Sequence, residues 1–201
     1  AQIEPDDYRC FVLPWPHEQV KYITAMDVVP EQRALVHHAV LYHVQPQNAA
    51  AAMMRDANEE GPGYTCFASS GVTASWLTSY EPGGYAQPLP NGIGLEVLPG
   101  SLMVLQVHYN TYKGIKPDQT RVELTLEDQV ERVGRVMLFL EPAWLAGNML
   151  IPAGAADVAH SWRGRPTVWA DQTLEVFSAD LHMHALGSSG RIGIIRKDAP
   201  T

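Results

Sequence analysis

The residues Leu102–Tyr109, with the sequence LMVLQVHY, decide the fold class because polar and apolar side chains alternate along them. Side chains of a β-strand point to opposite faces in turn. The two faces are Met103, Leu105, Val107 and Tyr109 on one side and Val104, Gln106 and His108 on the other. The first face is expected to pack in a core, and the second presents an imidazole.

Similar runs, rich in valine, isoleucine, leucine and tyrosine, recur along the chain between turn residues. This spacing is typical of a β-sandwich, so we predict an all-β protein. The predicted strands are Tyr8–Leu13, Lys21–Val28, Ala34–Val44, Leu102–Tyr109, Arg121–Leu126, Arg132–Leu140, Thr173–His184 and Arg191–Arg196. The alanine-rich residues Ala49–Ala57 predict a helix. The stretch Gly61–Pro99 is dense in glycine, proline and serine, and it predicts a long ordered loop.

The composition indicates a globular chain with a real core, since 46% of its 201 residues are hydrophobic and 18% are charged. A net charge of -8 without a lysine or arginine run argues against nucleic acid and anionic membranes as partners. No apolar run approaches the roughly 18 residues that span a bilayer. The chain starts at Ala1 without a basic and apolar leader, which predicts a processed or trimmed product.

The two cysteines, Cys10 and Cys66, lie far in sequence from every histidine cluster, which disfavours thiolate ligation of a metal. A disulfide is the preferred interpretation, and two buried free thiols are the alternative. A disulfide would restrict the unfolded chain by roughly 4 kcal/mol in the loop-entropy model. It would also place the protein in an oxidising compartment, secreted, periplasmic or in the secretory lumen.

Five of the eight histidines lie on strand-like runs, as the pair His37-His38, as His108, and as His182 and His184. Neutral imidazoles grouped on buried strands indicate a metal site. A lone strand histidine such as His108 is, by itself, more often a hydrogen-bonded core or surface residue. The prediction therefore rests on the clusters taken together.

The last cluster has the geometry of a chelate. His182 and His184 share one strand face, with Cα atoms roughly 7 Å apart. Asp180 lies on the same face and could support a ligand by hydrogen bonding or serve as a third ligand. Met183 points to the opposite face and is assigned to the core.

Adjacent residues of a regular strand face opposite sides, so His37 and His38 cannot converge on one ion without a special feature. They need a twist, a bulge, or coordination through the ring nitrogen nearer the backbone. His43 shares the face of His37 but lies roughly 20 Å along the strand, and we exclude it. His17 and His160 have no partner at ligand spacing.

The polar stretch Glu127–Gln129 divides the chain, and we place a domain boundary near residue 130. Residues 1–130 would form a β-sandwich with the three-histidine site. Residues 131–201 would form the start of a second sandwich with the HxH site. About 70 residues are few for an independent core, so the second domain is expected to be incomplete.

Several motifs occur in an order that carries a family resemblance. They are Asp7-Tyr8-Arg9-Cys10, Val36-His37-His38-Ala39-Val40-Leu41, Leu89-Pro90-Asn91-Gly92-Ile93-Gly94, Leu105-Gln106-Val107-His108-Tyr109, Ile151-Pro152-Ala153-Gly154, and His182-Met183-His184 with Leu186-Gly187. This ordered set resembles the copper type II, ascorbate-dependent monooxygenases, the family of peptidylglycine α-hydroxylating monooxygenase and dopamine β-monooxygenase. Each motif is weak alone, and the match runs nearly from end to end.

The resemblance implies two jelly-roll-like β-sandwich domains, each with one copper site. His37, His38 and His108 would hold the copper that supplies electrons. His182 and His184, with a methionine, would hold the copper at which dioxygen and substrate meet. Ascorbate would be the reductant. Cys10 and Cys66 fall where the family forms a disulfide.

Two positions depart from the family pattern. The family's methionine ligand lies well downstream of the HxH motif, and the sequence reaches Thr201 without such a segment. Met137 and Met149 precede the motif. Either the chain is part of a longer protein with a further segment or domain, or its second site is incomplete. In addition, Asp180 stands where the peptide-hydroxylating enzyme has an arginine for the substrate carboxylate. A carboxylate would attract an amine instead.

Three functions follow from these residues. The leading hypothesis is a copper monooxygenase that hydroxylates an unactivated C–H bond of a small substrate, amine-bearing or otherwise uncharged, with dioxygen and ascorbate. The first alternative is a copper-binding or electron-transfer module in which only the site of His37, His38 and His108 is filled. The second is a non-haem iron oxygenase that uses Asp180, His182 and His184.

Overall fold

The computed structural model of the protein describes residues 6–84, 88–165, 173–181, 183 and 186–195. The chain divides into two units, Ala1–Leu138 and Phe139–Thr201.

The first unit is built from strands, as the alternation of its sequence predicts. These strands are β1 (Asp6–Pro14), β2 (Lys21–Val29), β3 (Val36–Val44), β4 (Tyr64–Thr65), β5 (Ser75–Tyr80), β6 (Ile93–Val97), β7 (Leu102–Asn110), β8 (Arg121–Glu127) and β9 (Arg132–Gly134). A helix α1 (Pro46–Ala57) follows β3, and a short 3-10 helix (Thr111–Lys113) follows β7.

The strands form two sheets. The five-stranded sheet has the order β4-β1-β7-β3-β5, and the four-stranded sheet has the order β8-β2-β6-β9. All pairs in the first sheet are antiparallel. In the second sheet only the pair of β6 and β9 is parallel. The predicted all-β class is therefore confirmed.

The main core lies between the two sheets. The five-stranded sheet contributes, among others, Leu41 and the apolar face of β7, and the four-stranded sheet contributes residues such as Ile23 and Val97. The face of β7 that carries Met103, Leu105 and Val107 is buried here, as its alternation predicts. One face of the five-stranded sheet therefore packs against the four-stranded sheet.

A second core covers the opposite face of the five-stranded sheet. It packs Ala49 and Ala52 of α1 and the buried ring of Tyr64 against strand residues such as Val104. Cys10 and Cys66 are joined here by a disulfide, with Cα atoms 5.9 Å apart, so the predicted bond is present. It fixes the segment after β4 to β1.

The prediction of a long loop over Gly61–Pro99 is wrong in part, because it contains β4, β5 and β6. The glycines and prolines of this stretch are typical of turns, and for that reason the sequence did not predict the strands. Gly94 lies inside β6, where an added Cβ would come within 2.8 Å of side-chain atoms of Tyr22 and Val130. This glycine permits close packing of a neighbouring strand instead of marking a turn.

The predicted strand Arg132–Leu140 is formed only at Arg132–Gly134, as β9. Because β9 pairs with β6, it belongs to the first unit. The division after Leu138 lies somewhat beyond the predicted boundary near residue 130.

The second unit contains no strand in its described residues, 139–165, 173–181, 183 and 186–195. The strands predicted at Thr173–His184 and Arg191–Arg196 are therefore absent from the described parts of those ranges. Leu174, Val176, Ile192 and Ile194 are exposed there. An alternating segment forms a strand only when neighbours complete its hydrogen bonds and cover its apolar face.

Among the described residues, no helix is both long enough and apolar enough to cross a membrane.

Candidate metal centre

The three histidines of the first cluster meet at one end of the five-stranded sheet, on the face that also carries α1. His38 of β3 lies opposite His108 of β7, and His108 lies opposite Tyr8 of β1. The pairing of β3 with β7 shifts its register between Val36 and His38, as a β-bulge does. This irregularity at His37 is one of the features that the adjacent pair requires in order to converge.

The ring nitrogens nearest the backbone point toward one another. The Nδ1 atom of His38 lies 3.2 Å from Nδ1 of His37 and 3.4 Å from Nδ1 of His108. One ligand atom from each histidine lies within 4.8 Å of every other. The three histidines that the sequence groups therefore lie together, and His38 approaches the other two through its Nδ1 atom, the ring nitrogen nearer the backbone.

These distances fit a single metal ion. Two nitrogens bound at about 2.0 Å from one ion at a tetrahedral angle lie roughly 3.3 Å apart. A purely hydrogen-bonded cluster is less satisfactory, because His38 Nδ1 has at most one proton to share between two neighbouring nitrogens. Three neutral imidazoles suit copper, zinc, iron or nickel. The donor set therefore fits copper without being specific for it.

The site is closed on one side and open on the other. His108 is buried, His38 is half-buried and His37 is exposed. The ring of Tyr8 stacks on that of His108, with centroids 4.1 Å apart and planes 11° apart. Phe67 in turn packs edge-on against Tyr8. An ion held by three histidines would keep a fourth coordination position for water or a small molecule on the exposed side of the site.

Asp6, which the sequence did not indicate as a site residue, lies beside His108. Asp6 Oδ1 lies 3.0 Å from His108 Nε2. The hydrogen bond from His108 is the largest of the influences that hold the pKa of the Asp6 carboxyl below its usual value. Asn110 Nδ2 also donates to Asp6 Oδ1, at 3.0 Å. Only the register of β1 with β7 brings these residues together, so local sequence offers no sign of the contact.

The second predicted histidine cluster, His182 and His184, lies outside the described residues. Asp180 is exposed, and the hydroxyl of Ser178 donates to its Oδ2 at 3.5 Å. Met183 is 47% exposed, so its assignment to the core is wrong. No strand is formed among residues 173–181, 183 and 186–195, so no sheet face there covers Met183. Met137 and Met149 are also exposed.

The remaining histidines with described surroundings lie elsewhere. His17 packs edge-on against Trp15, and the ring of His160 bonds to the carbonyl of Leu150. His43 is buried on β3, with Nε2 3.0 Å from the hydroxyl oxygen of Ser101. The exclusion of His43 from the three-histidine cluster agrees with this placement.

His43 predicts a loss of stability in mild acid. Burial lowers its pKa from 6.5 to about 4. The unfolded chain therefore takes up a proton on His43 as the pH falls below about 6.5, before the folded chain does. The free energy of unfolding should keep the full contribution of neutral His43 above pH 6.5. It should fall by up to about 3 kcal/mol as the pH drops toward 4. His43→Gln, which can still bond to Ser101, should show a smaller loss over this range in urea unfolding. Equal pH dependence in both proteins would contradict the assignment.

No protein-family model matches the chain, and no curated protein matches it either.

Proposed function

We propose that the protein is a copper-dependent monooxygenase, or a part of one, in which His37, His38 and His108 hold the copper that supplies electrons. The convergence of three Nδ1 atoms carries this proposal, since it creates a donor set of the right spacing for one ion. The choice of copper comes from the ordered motifs that resemble those of the ascorbate-dependent monooxygenases. When bound, copper would supply one-electron redox chemistry.

The residues around the cluster suit a site that exchanges electrons with a small reductant. The exposed ring of His37 leaves one side accessible to ascorbate, while buried His108 and stacked Tyr8 hold the other side rigid. A rigid set of ligands needs little rearrangement when the charge of a bound ion changes. Two ascorbate molecules would each give one electron, so that one oxygen atom enters the substrate and the other leaves as water.

The reaction would take place at the HxH motif, where His182 and His184 would bind the second copper. The substrate is proposed to be small and to carry an amine or no charge, because Asp180 is exposed and acidic beside this motif. Efficient turnover of a peptide ending in glycine would contradict that substrate class. The disulfide is compatible with an oxidising location, and we propose that the protein is secreted, periplasmic or in the secretory lumen.

A second candidate function is a copper-binding or electron-transfer module that uses the first site alone. One observation favours it specifically. All three histidines and the residues that support them come from the first unit, within β1, β3 and β7. His37, His38 and His108 together make up the donor set of this site within the first unit.

Electron paramagnetic resonance with metal analysis tests these functions. Two type II copper centres per chain support the monooxygenase, and one centre supports the electron-transfer module. Stoichiometric iron would instead support the oxygenase reading of Asp180, His182 and His184. Ascorbate-dependent oxygen uptake with candidate amines is the companion assay, and full copper loading without turnover would count against catalysis.

A further inference from the structure

The outer nitrogen of His108 faces a carboxylate. Asp6 Oδ1 lies 3.0 Å from His108 Nε2, and an ionised carboxylate can only accept. His108 must therefore carry its proton on Nε2 when this bond forms. Its Nδ1 then presents a lone pair toward His38 and His37, which is the form that binds a metal.

The carboxylate is itself held in place. Asp6 and Asn110 are paired across β1 and β7, and His108 is the diagonal neighbour of Asp6 on the same face. Asn110 Nδ2 donates to Asp6 Oδ1, while the Oδ1 atom of Asn110 accepts from the backbone N–H of Tyr112 at 3.3 Å. This second bond sets the orientation of the Asn110 amide, so that its NH₂ group faces Asp6.

The ring of His108 has little freedom to turn. Tyr8 stacks on one of its faces with nearly parallel planes, and the bond to Asp6 fixes its edge. His108 itself is buried, and the Asp6 side chain that meets its Nε2 is 45% exposed. Proton position and ring plane are both determined before any ion arrives.

We propose that Asp6 is a positioning residue for copper at the three-histidine site, which it prepares by fixing the tautomer and orientation of His108. The inference rests on the proposed function, because it concerns copper at that site. A carboxylate partner makes the opposite ring nitrogen a stronger donor. Asp6 therefore favours copper(II) over copper(I) and lowers the reduction potential relative to a neutral partner.

Asp6→Ala removes the acceptor, and Asp6→Asn keeps a neutral acceptor while removing the charge. Asp7→Ala is the matched control, because Asp7 is the next acidic residue on β1 and points to the opposite face. Nitrogen NMR of the metal-free proteins should show His108 protonated on Nε2 in the original protein and in Asp7→Ala. Asp6→Ala should show a mixture of both tautomers.

Copper(II) affinity, measured by competition with a chelator, should fall about 10- to 100-fold in Asp6→Ala and remain within about twofold in Asp7→Ala. The reduction potential of the loaded protein should rise in Asp6→Asn. Unchanged affinity and potential in the Asp6 variants, or protonation of His108 on Nδ1 in the original protein, would overturn the inference alone. Failure of the original protein to bind copper would overturn the proposed function, and this inference with it.

Discussion

His108→Ala is expected to reduce copper affinity by two to three orders of magnitude. His108 is the buried member of the trio and the one whose orientation is fixed on both sides, by Asp6 and by Tyr8. Structural four-ligand zinc sites gain about 10 to 16 kcal/mol, so one ligand contributes about 2.5 to 4 kcal/mol, or a factor of roughly 70 to 900. Chelator competition with copper(II) measures this loss.

His17→Ala serves as the control for this variant. It also removes one histidine from the first unit, but His17 contacts Trp15 and lies outside the trio. Its copper affinity should equal that of the original protein. The site assignment would be contradicted by equal losses in both variants, or by His108→Ala binding copper as tightly as the original protein.

Removal of the disulfide is expected to cost about 4 kcal/mol of unfolding free energy. Cys10 and Cys66 are separated by 56 residues, and the loop-entropy model gives about this value for a loop of that length. Both residues are buried in the core that packs α1 against the five-stranded sheet. Urea unfolding of Cys10→Ala/Cys66→Ala, compared with the oxidised original protein, measures the difference.

Reduction provides the matched control for the disulfide. A reductant should lower the stability of the original protein by a similar amount and leave the double alanine variant unchanged. A loss smaller than about 1 kcal/mol in the variant would show that the bond does not restrict the unfolded chain in the way the entropy model requires.

The alternation of single strands was enough to predict much of the site. The residues Leu102–Tyr109 predicted which face of β7 enters the core and that His108 lies on the other. The adjacency of His37 and His38 predicted that a regular strand cannot bring both to one ion, and the register shift lies at that point. These features depend on neighbouring residues only, which is why the sequence reveals them.

Other features depend on which strands become neighbours. Asp6 and His108 are 102 positions apart, and they meet only because β1 pairs antiparallel with β7 in one register. The sequence did not predict strand β6, because glycine is typical of turns. In the structure, Gly94 instead leaves room for the side chains of Tyr22 and Val130. In Thr173–His184 the sequence alternates between polar and apolar residues. Such alternation predicts which side chains would share a face, but it does not predict a neighbouring strand to complete the hydrogen bonds.

We propose that His37, His38 and His108 bind one copper ion through their Nδ1 atoms. Copper X-ray absorption of the full chain carrying His182→Ala/His184→Ala, loaded with one equivalent of copper(II), tests this proposal, because the trio is then the one predicted copper site that remains. We expect three imidazole nitrogens at about 2.0 Å from a single copper ion. A copper ion with fewer than three imidazole ligands, or no stoichiometric binding, would contradict it.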